Sequence, residues 1–311
     1  MPHKHSKVLV TGGSGFIGSH IVDELLSEKF AATILDNREP QEAEDRIQHE
    51  TKDDFRFIRG DIRDHASVVR AVQDIDVVIH LAALISVPQS IDDPLLYNEV
   101  NINGTINLLK ASMNANVKKF IYASSCAVYG STQEVPIKEN HTLRPNSPYG
   151  ISKMAAESYV QLFNSLGLKT LCLRFFNVYG PRQTYNQYSG VISKFLNAAK
   201  KNEPLTIFGD GKQTRDFVHV RDVAKAHLLA LNSDVAGEIF NIATGVATSI
   251  NDLAEVLLEV VNKRSLRIIH EEPREGDIYQ SYADISRAKE RLGYSPKIAL
   301  KNGLEELLPA C

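Results

Sequence analysis

Two side chains four residues apart, Tyr149 and Lys153, could do acid–base chemistry if a helix carried them. Pro148 marks a helix start, and a spacing of four puts ammonium and phenol on one helical face. Tyrosine ionises near pH 10, so a tyrosine base at neutral pH needs about 3 pH units, or ~4 kcal/mol. One positive charge at ~4 Å is worth about 4 kcal/mol at an effective dielectric of ~20, so Lys153 could supply that order of effect. Such a pair arises often by chance; Ser124-Ser125 gives it weight. These serines end the strand-like run Phe120-Ile121-Tyr122-Ala123, at the carboxyl edge where open α/β sheets bind ligands. A hydroxyl there can hold the substrate oxygen that Tyr149 deprotonates, although Ser125 could equally cap a turn.

A second constellation suits an anion. Val8-Leu9-Val10 runs into Gly12-Gly13-Ser14-Gly15-Phe16-Ile17-Gly18, which satisfies G-x-G-x-x-G through Gly13, Gly15 and Gly18. Gly12, Gly15 and Gly18 satisfy the related G-x-x-G-x-x-G. Such glycines allow a sharp turn and bring a pyrophosphate to a helix N-terminus, where free N–H groups favour negative charge. Asp36 closes the second strand 18 residues after Gly18, where a carboxylate would accept from adenosine ribose hydroxyls. Asp36 therefore favours NAD over NADP, an argument softened by Arg38 two residues on. Asp61, after the third strand, could sit beside the adenine or merely cap the next helix.

The elements that must position these groups alternate. Strand-like runs occur at Lys7–Thr11, Ala31–Asp36, Phe55–Arg59, Asp76–Ala82, Val117–Ser124 and Lys169–Phe175, with helical patterns at Phe16–Glu28, Ala66–Gln73, Asn101–Asn114 and Ser152–Leu166. Continuous apolar runs such as Val77-Val78-Ile79 read as strands buried on both faces. Repeated strand–helix–strand units imply a doubly wound α/β domain with a parallel sheet. After about Asn177 the rhythm breaks into shorter pieces punctuated by Pro and Gly, a smaller mixed lobe. Asp222–Leu231 and Glu238–Ile242 still read as a helix and strand added to the first sheet. The expected division is 1–176 with 222–242 for the first domain, and 177–221 with 243–311 for the lobe.

Composition excludes several classes. The 311 residues carry 35 Lys+Arg against 38 Asp+Glu, a net charge of −3, so there is no basic surplus to meet a nucleic acid. No run approaches the ~18–20 apolar residues of a membrane span, and no apolar signal region opens the chain. Cys126, Cys172 and Cys311 are too few and scattered for a disulfide framework or a zinc site. A soluble cytoplasmic protein without metal is expected.

Taken together, these motifs resemble the extended short-chain dehydrogenase/reductase superfamily, and within it the nucleotide-sugar 4-epimerases of the UDP-glucose/UDP-galactose type. The resemblance runs through Thr11–Gly18, Asp36-Asn37, Gly60-Asp61, His80–Ala83, Ser124–Gly130, Tyr149–Lys153, Arg174–Pro181, Gly209–Val220 and Arg274–Asp284. It implies NAD held by Gly12, Gly15, Phe16, Ile17, Gly18, Asp36, Asn37, Asp61, Ile62, Ala82, Ala83, Tyr149, Lys153 and Phe176. Ser125, Tyr149 and Lys153 become the catalytic set, working through a transient 4-keto sugar. Substrate contacts follow: Asn177 at the diphosphate or sugar, Leu205 and Phe208 flanking uracil, Arg215 and Arg274 on the diphosphate, with Val191, Asp277 and Ser281 completing the pocket. Arg215 could instead pair with its neighbour Asp216, and His219 and Asp222 read as structural.

Sister activities in that superfamily place acids in the segment that reads Ser125-Cys126-Ala127-Val128-Tyr129-Gly130 here. Dehydratases resemble Thr-Asp-Glu before Val-Tyr-Gly, and UDP-glucuronate decarboxylases carry a Glu two residues before the Tyr. Cys126 and Ala127 fill both acid positions, as expected of an epimerase. Ser281 stands where a bulky aromatic would exclude a 2-acetamido group. The resemblance also implies a homodimer through Pro94–Asn114 and Tyr149–Leu166, whose apolar residues packing on the sheet explains equally well. Cys126 reads as a small buried filler.

Overall fold

A computed structural model describes residues 6–47, 55–132, 134–184, 190–274 and 276–308. Its strands are β1 (Lys7–Thr11), β2 (Ala31–Asp36), β3 (Phe55–Arg59), β4 (Val77–His80), β5 (Lys119–Ser125), β6 (Thr170–Phe175) and β7 (Asn177–Tyr179). They continue with β8 (Leu205–Phe208), β9 (Thr214–Arg215), β10 (Phe217–His219), β11 (Glu238–Ile242), β12 (Thr248–Ser249), β13 (Ile268–Glu271) and β14 (Gln280–Ser281). The helices are α1 (Phe16–Ser27), α2 (Pro40–Arg46), α3 (His65–Ala71), α4 (Val87–Asp92), α5 (Pro94–Tyr97) and α6 (Gly104–Asn114). After them come α7 (Pro148–Ser165), α8 (Val191–Lys200), α9 (Val220–Asn232), α10 (Ile250–Val260), α11 (Ser286–Leu292) and α12 (Leu300–Glu305).

Seven strands form one parallel sheet in the order β11-β6-β5-β4-β1-β2-β3. Its inner strands bury both faces, and alternate residues separate two cores. Val8, Val10, Ile34, Ile79 and Leu173 pack with Ile21, Leu25, Val223 and Leu228 of α1 and α9. Leu9, Leu35, Val78 and Cys172 pack with Val68, Leu108, Leu109, Ala156 and Val160 of α3, α6 and α7. The fold is thus the expected doubly wound one, and β11 returns to the sheet beside β6. The strand order reverses between β1 and β4, the crevice where such sheets take ligands.

The later chain builds small sheets, β7 with β10, β8 with β13, and β9 between β12 and β14. A third core gathers Phe195, Leu205, Ile207, Phe217, Leu253, Leu257 and Leu304. The expected helix at Asn101–Asn114 starts instead as a π-helical turn, Asn98–Asn103, before α6, while α7 begins at Pro148, the start that its proline marks. Among the described residues no helix is long and apolar enough to cross a membrane. Cys126 and Cys172 are free thiols, and Cys311 lies outside the described residues.

Candidate active site

Helix α7 begins with Ser147 accepting from Gly150 N at 3.1 Å and Pro148 in its first turn. That start places Tyr149 against the end of β5. Ser125 ends the strand, caps the following tight turn by accepting from Ala127 N at 3.2 Å, and is hydrogen-bonded to Tyr149. The capping and catalytic readings of Ser125 are therefore compatible. Tyr97 packs edge-on to the Tyr149 ring at 6.5 Å. Lys153 is buried, with Nζ donating to Ala123 O at 2.7 Å and lying 4.8 Å from the Tyr122 ring centroid.

Burial acts on both members of the Tyr149–Lys153 pair. Burial pushes Tyr149 up to about 12, against the opposing pull of Ser125's hydrogen bond, while Cys126 and Tyr97 add to the rise. Burial also draws Lys153 down to about 7, and Glu157 resists. The ammonium that was to hold Tyr149 ionised is committed to Ala123 O and is itself weakened. Burial disfavours charge on either group. Cys126 is only partly buried, beside the core of Val128, Tyr129 and Phe176, and burial raises its thiol to about 11.

Across the β1/β4 crevice lies a dinucleotide cradle. Gly12 takes a left-handed φ of 70° and approaches the loop after β4 so closely that a Cβ would stand 2.9 Å from Ala82 N. A Cβ on Gly18 would fall 2.2 Å from Gly12 O, so the loop closes tightly on α1. Helix α1 has no side-chain cap, which leaves first-turn N–H groups for an anion. Asp36 is buried at the mouth, accepting from Ser14 N at 3.0 Å and Arg38 N at 3.2 Å. The buried Ser14 hydroxyl has no hydrogen-bond partner, as fits a loop shaped around a phosphate. Arg38 reaches Ser14 O at 3.4 Å and Glu42 at 3.8 Å. Phe16, Ile17, Gly15 and exposed Asn37 border the cradle, and Ala83 follows Ala82 in the facing loop.

The structure narrows the reading of Asp61 and shows Ile62 and Phe176 to be buried. Asp61 does not cap the next helix; Asp64 does, accepting from Ala66 N and Ser67 N, because it stands at the N-cap of α3. Asp61 instead makes two bonds to the Arg63 guanidinium, at 3.0 and 2.8 Å, which hold its carboxyl below the usual range. Ile62 is buried in the second core, so its side chain is packing. Phe176 is also buried, against Tyr129 at 6.4 Å.

On the substrate side, Arg215 does not pair with Asp216. Its guanidinium donates to Thr214 O at 2.8 Å, Ile278 O at 2.6 Å and Asp277 Oδ1 at 2.5 Å. Asp216 is turned inward, accepting from Thr244 N and Oγ1, Gly245 N and Ala283 N. Ser281, buried on β14, pairs in register with Arg215 on β9. Arg274 lies over the Phe208 ring, 3.8 Å from its centroid. Leu205 is fully buried in the third core, and strand alternation turns it away from Phe208. Only its backbone is left to flank a base. Asn177 N donates to Asp216 O at 2.9 Å, and Val191 opens α8 partly buried against the same core. His219 caps α9 by accepting from Arg221 N, and Asp222 accepts from Lys297 N and Ile298 N, so both are structural as expected.

Sequence reasoning missed the supports between these parts. Asn101, in the π-helical turn, accepts from Leu84 N and donates to Leu84 O and to Ser152 Oγ, whose hydroxyl donates to Tyr149 O. Buried His80 bridges Thr11 and Thr105 at 2.7 and 2.9 Å and is held neutral, its pKa drawn down to about 3 by burial. Thr11 Oγ1 accepts from Ala82 N.

Known proteins share this arrangement. The model of the NAD dependent epimerase/dehydratase family matches residues 8–243. UDP-glucose 4-epimerase of Mycolicibacterium smegmatis is 38% identical over 302 residues, with 96% of both chains covered. A UDP-N-acetylglucosamine 4-epimerase from Methanobrevibacter ruminantium, solved with UDP-N-acetylmuramic acid, superposes with a TM-score of 0.91 at 39% identity, covering 97% of this chain and 96% of that one. A mutant UDP-glucuronic acid 4-epimerase from Bacillus cereus, solved with UDP-4-deoxy-4-fluoro-glucuronic acid and NAD, gives 0.88 at 34% identity, covering 96% and 97%. The chain therefore takes NAD as its cofactor and belongs to the NAD dependent epimerase/dehydratase family.

Proposed function

We propose that this protein interconverts UDP-glucose and UDP-galactose by inversion at C4 through a transient 4-keto sugar, and that it also admits UDP-GlcNAc and UDP-GalNAc. The observation that carries this reading is that Ser125 at the end of β5 and Tyr149 at the start of α7 lie together at the carboxyl edge of the sheet, with Cys126 and Ala127 where related activities need acids. NAD, which the Gly12–Gly18 loop and Asp36 would hold, would supply the capacity to accept and return a hydride at C4. Tyr149 removes the proton of the 4-hydroxyl and restores it after inversion. Ser125 holds the sugar oxygen, and Lys153 favours the ionised phenol. Arg215 and Arg274 bind the diphosphate while the hexose turns, which requires Asp277 and Phe208 to yield their present hold on them. Ser281 leaves space for an acetamido group. In this reading residues 1–176 and 222–242 hold NAD, and 177–221 with 243–311 hold the nucleotide sugar.

Likeness to the B. cereus enzyme supports a second reading, 4-epimerisation of UDP-glucuronate. A homodimer is part of the proposal. Helix α7 presents Ile151, Tyr159, Leu162 and Leu166 on one exposed stripe, beside exposed Ile91 of α4 and Leu95 of α5.

The deciding experiment incubates purified protein with UDP-galactose, without added cofactor, and separates the UDP-sugars. UDP-glucose should rise to equilibrium, and Tyr149→Phe should lower kcat by about 10²–10⁴-fold. Conversion of UDP-glucuronate alone would select the second reading. Consumption of external NADH would make the protein a reductase.

A further inference from the structure

A buried ion pair lies beneath the site. Glu157 sits on α7, one helical turn after Lys153 and two after Tyr149, and is 3% exposed. Arg174 on β6 is 2% exposed. Its Nε donates to Glu157 Oε2 at 3.0 Å, and its Nη2 donates to Oε1 to complete a two-pronged pair. Glu157 Oε2 also accepts from Ser124 Oγ at 2.8 Å. Ser124 stands between Ala123, whose carbonyl receives Lys153 Nζ, and Ser125, which is bonded to Tyr149. Arg174 Nη1 donates to Tyr129 OH at 2.8 Å and to Glu139 O at 2.9 Å, and Tyr129 OH donates to Asn241 Oδ1 at 2.6 Å. Tyr129 follows the short turn that begins at Ser125.

A buried ion pair is weak evidence for stability, because desolvation of two charges offsets their attraction and apolar replacements are often as stable. Its placement calls for another reason. We propose that Glu157 is a positioning residue for the reaction, its carboxylate holding the Ala123–Ser125 strand end through Ser124 and setting the charge environment of Lys153 one turn away. Titratable groups facing Lys153 are Tyr149 and Glu157 on α7, Tyr122 on β5, Cys172 on β6 and His80 on β4. Burial keeps His80, Tyr122 and Cys172 neutral, so Glu157 is the anion that favours the ammonium at neutral pH.

The inference rests on the epimerase reading, and its test is built to fail separately. Glu157→Gln would strand the Arg174 charge and risk unfolding, so the informative proteins are Glu157→Leu/Arg174→Met and Ser124→Ala. Kinetics with UDP-galactose on the NAD-loaded enzymes, thermal melts, and an NMR titration of labelled Lys153, assigned against Lys153→Met, give three readouts. The folded double variant should lose about 10- to 100-fold in kcat with KM little changed. Its Lys153 midpoint and the alkaline limb of its activity should fall by about one pH unit. Ser124→Ala should lower kcat without moving the midpoint, because the carboxylate remains. A folded double variant with wild-type kcat and midpoint would overturn the proposal. If the wild-type protein turns over no UDP-sugar, the epimerase reading fails while the Lys153 midpoint still decides this one.

Discussion

Replacing Lys153 by Met should flatten the alkaline pH dependence of folding stability. Lys153 ionises at 10.5 in its ordinary state, and burial lowers it to about 7 in the fold. Between those values the unfolded chain holds a proton that the folded chain lacks. The slope of unfolding free energy is then positive, so stability rises with pH by about 1.36 kcal/mol per unit. From about pH 7 to 9 the wild-type protein should gain roughly 2.7 kcal/mol relative to Lys153→Met, with a ceiling near 5 kcal/mol over the whole window. Below about pH 7 the buried group takes up its proton too, and this contribution sits at its minimum.

Methionine suits the comparison because it keeps an unbranched apolar stem of similar length and removes the titrating head. Lys119, drawn to about 8 by burial, also titrates in this range, but it is present in both proteins and cancels in the difference. Denaturant unfolding at about pH 6, 7.5 and 9, with both proteins in the same cofactor state, gives the two curves. Parallel curves would refute the reasoning. They would mean that Lys153 Nζ is solvated in the folded protein, and the account of how Tyr149 and Lys153 shift would fall with it.

Other expectations follow from single contacts. Gly18→Ala puts a methyl 2.2 Å from Gly12 O, so the protein should lose its NAD and about 1–3 kcal/mol of stability; full NAD content after denaturing release would contradict this. Ser281→Tyr should cut kcat/KM for UDP-GlcNAc by about 10- to 100-fold while sparing UDP-galactose, and equal losses for both sugars would count against a pocket wall at this position. Leu162, 50% exposed on α7, should be part of the dimer face, so Leu162→Asp should sediment as a monomer where the wild type sediments as a dimer.

The inner strands were legible because they bury both faces and so carry unbroken apolar runs; β1 and β2 match their expected bounds residue for residue, and so do the edge strands β3 and β11, although β3 reads Phe-Arg-Phe-Ile-Arg and is largely unburied. Strand β4 was expected to reach Ala82 because Leu81 and Ala82 are apolar, yet the ladder ends at His80, where Ala82 N turns to Thr11 Oγ1. Helix α4 had no counterpart in the sequence reading, and α5 was covered only by the broader segment Pro94–Asn114; Ser86 and Asp93 are their N-caps, accepting from Gln89 N and Leu96 N, and Pro88 and Pro94 occupy first turns. Arg215 was ambiguous because adjacency in sequence made Asp216 the obvious partner. In an extended strand neighbours point to opposite faces, which frees Arg215 for Asp277, 62 residues away.

The energetics of the tyrosine base were hidden for the same reason, since they depend on what surrounds the pair. From sequence the demand is about 3 pH units, within reach of one charge at ~4 Å. In the fold Tyr149 begins near 12, so ionisation at neutral pH demands about 5 units, or roughly 7 kcal/mol. Lys153 cannot meet that alone: a single ammonium contributes about 4 kcal/mol at an effective dielectric of ~20, and this one is itself losing its proton near pH 7. The shortfall must come from positive charge that enters with NAD, which would also pull on Tyr149 while weakening Lys153 further. Glu157 then has a definite task, because it opposes that weakening from one helical turn away. On the epimerase reading Tyr149 acts as a base in the loaded site, where Glu157 would favour the charged form of its partner.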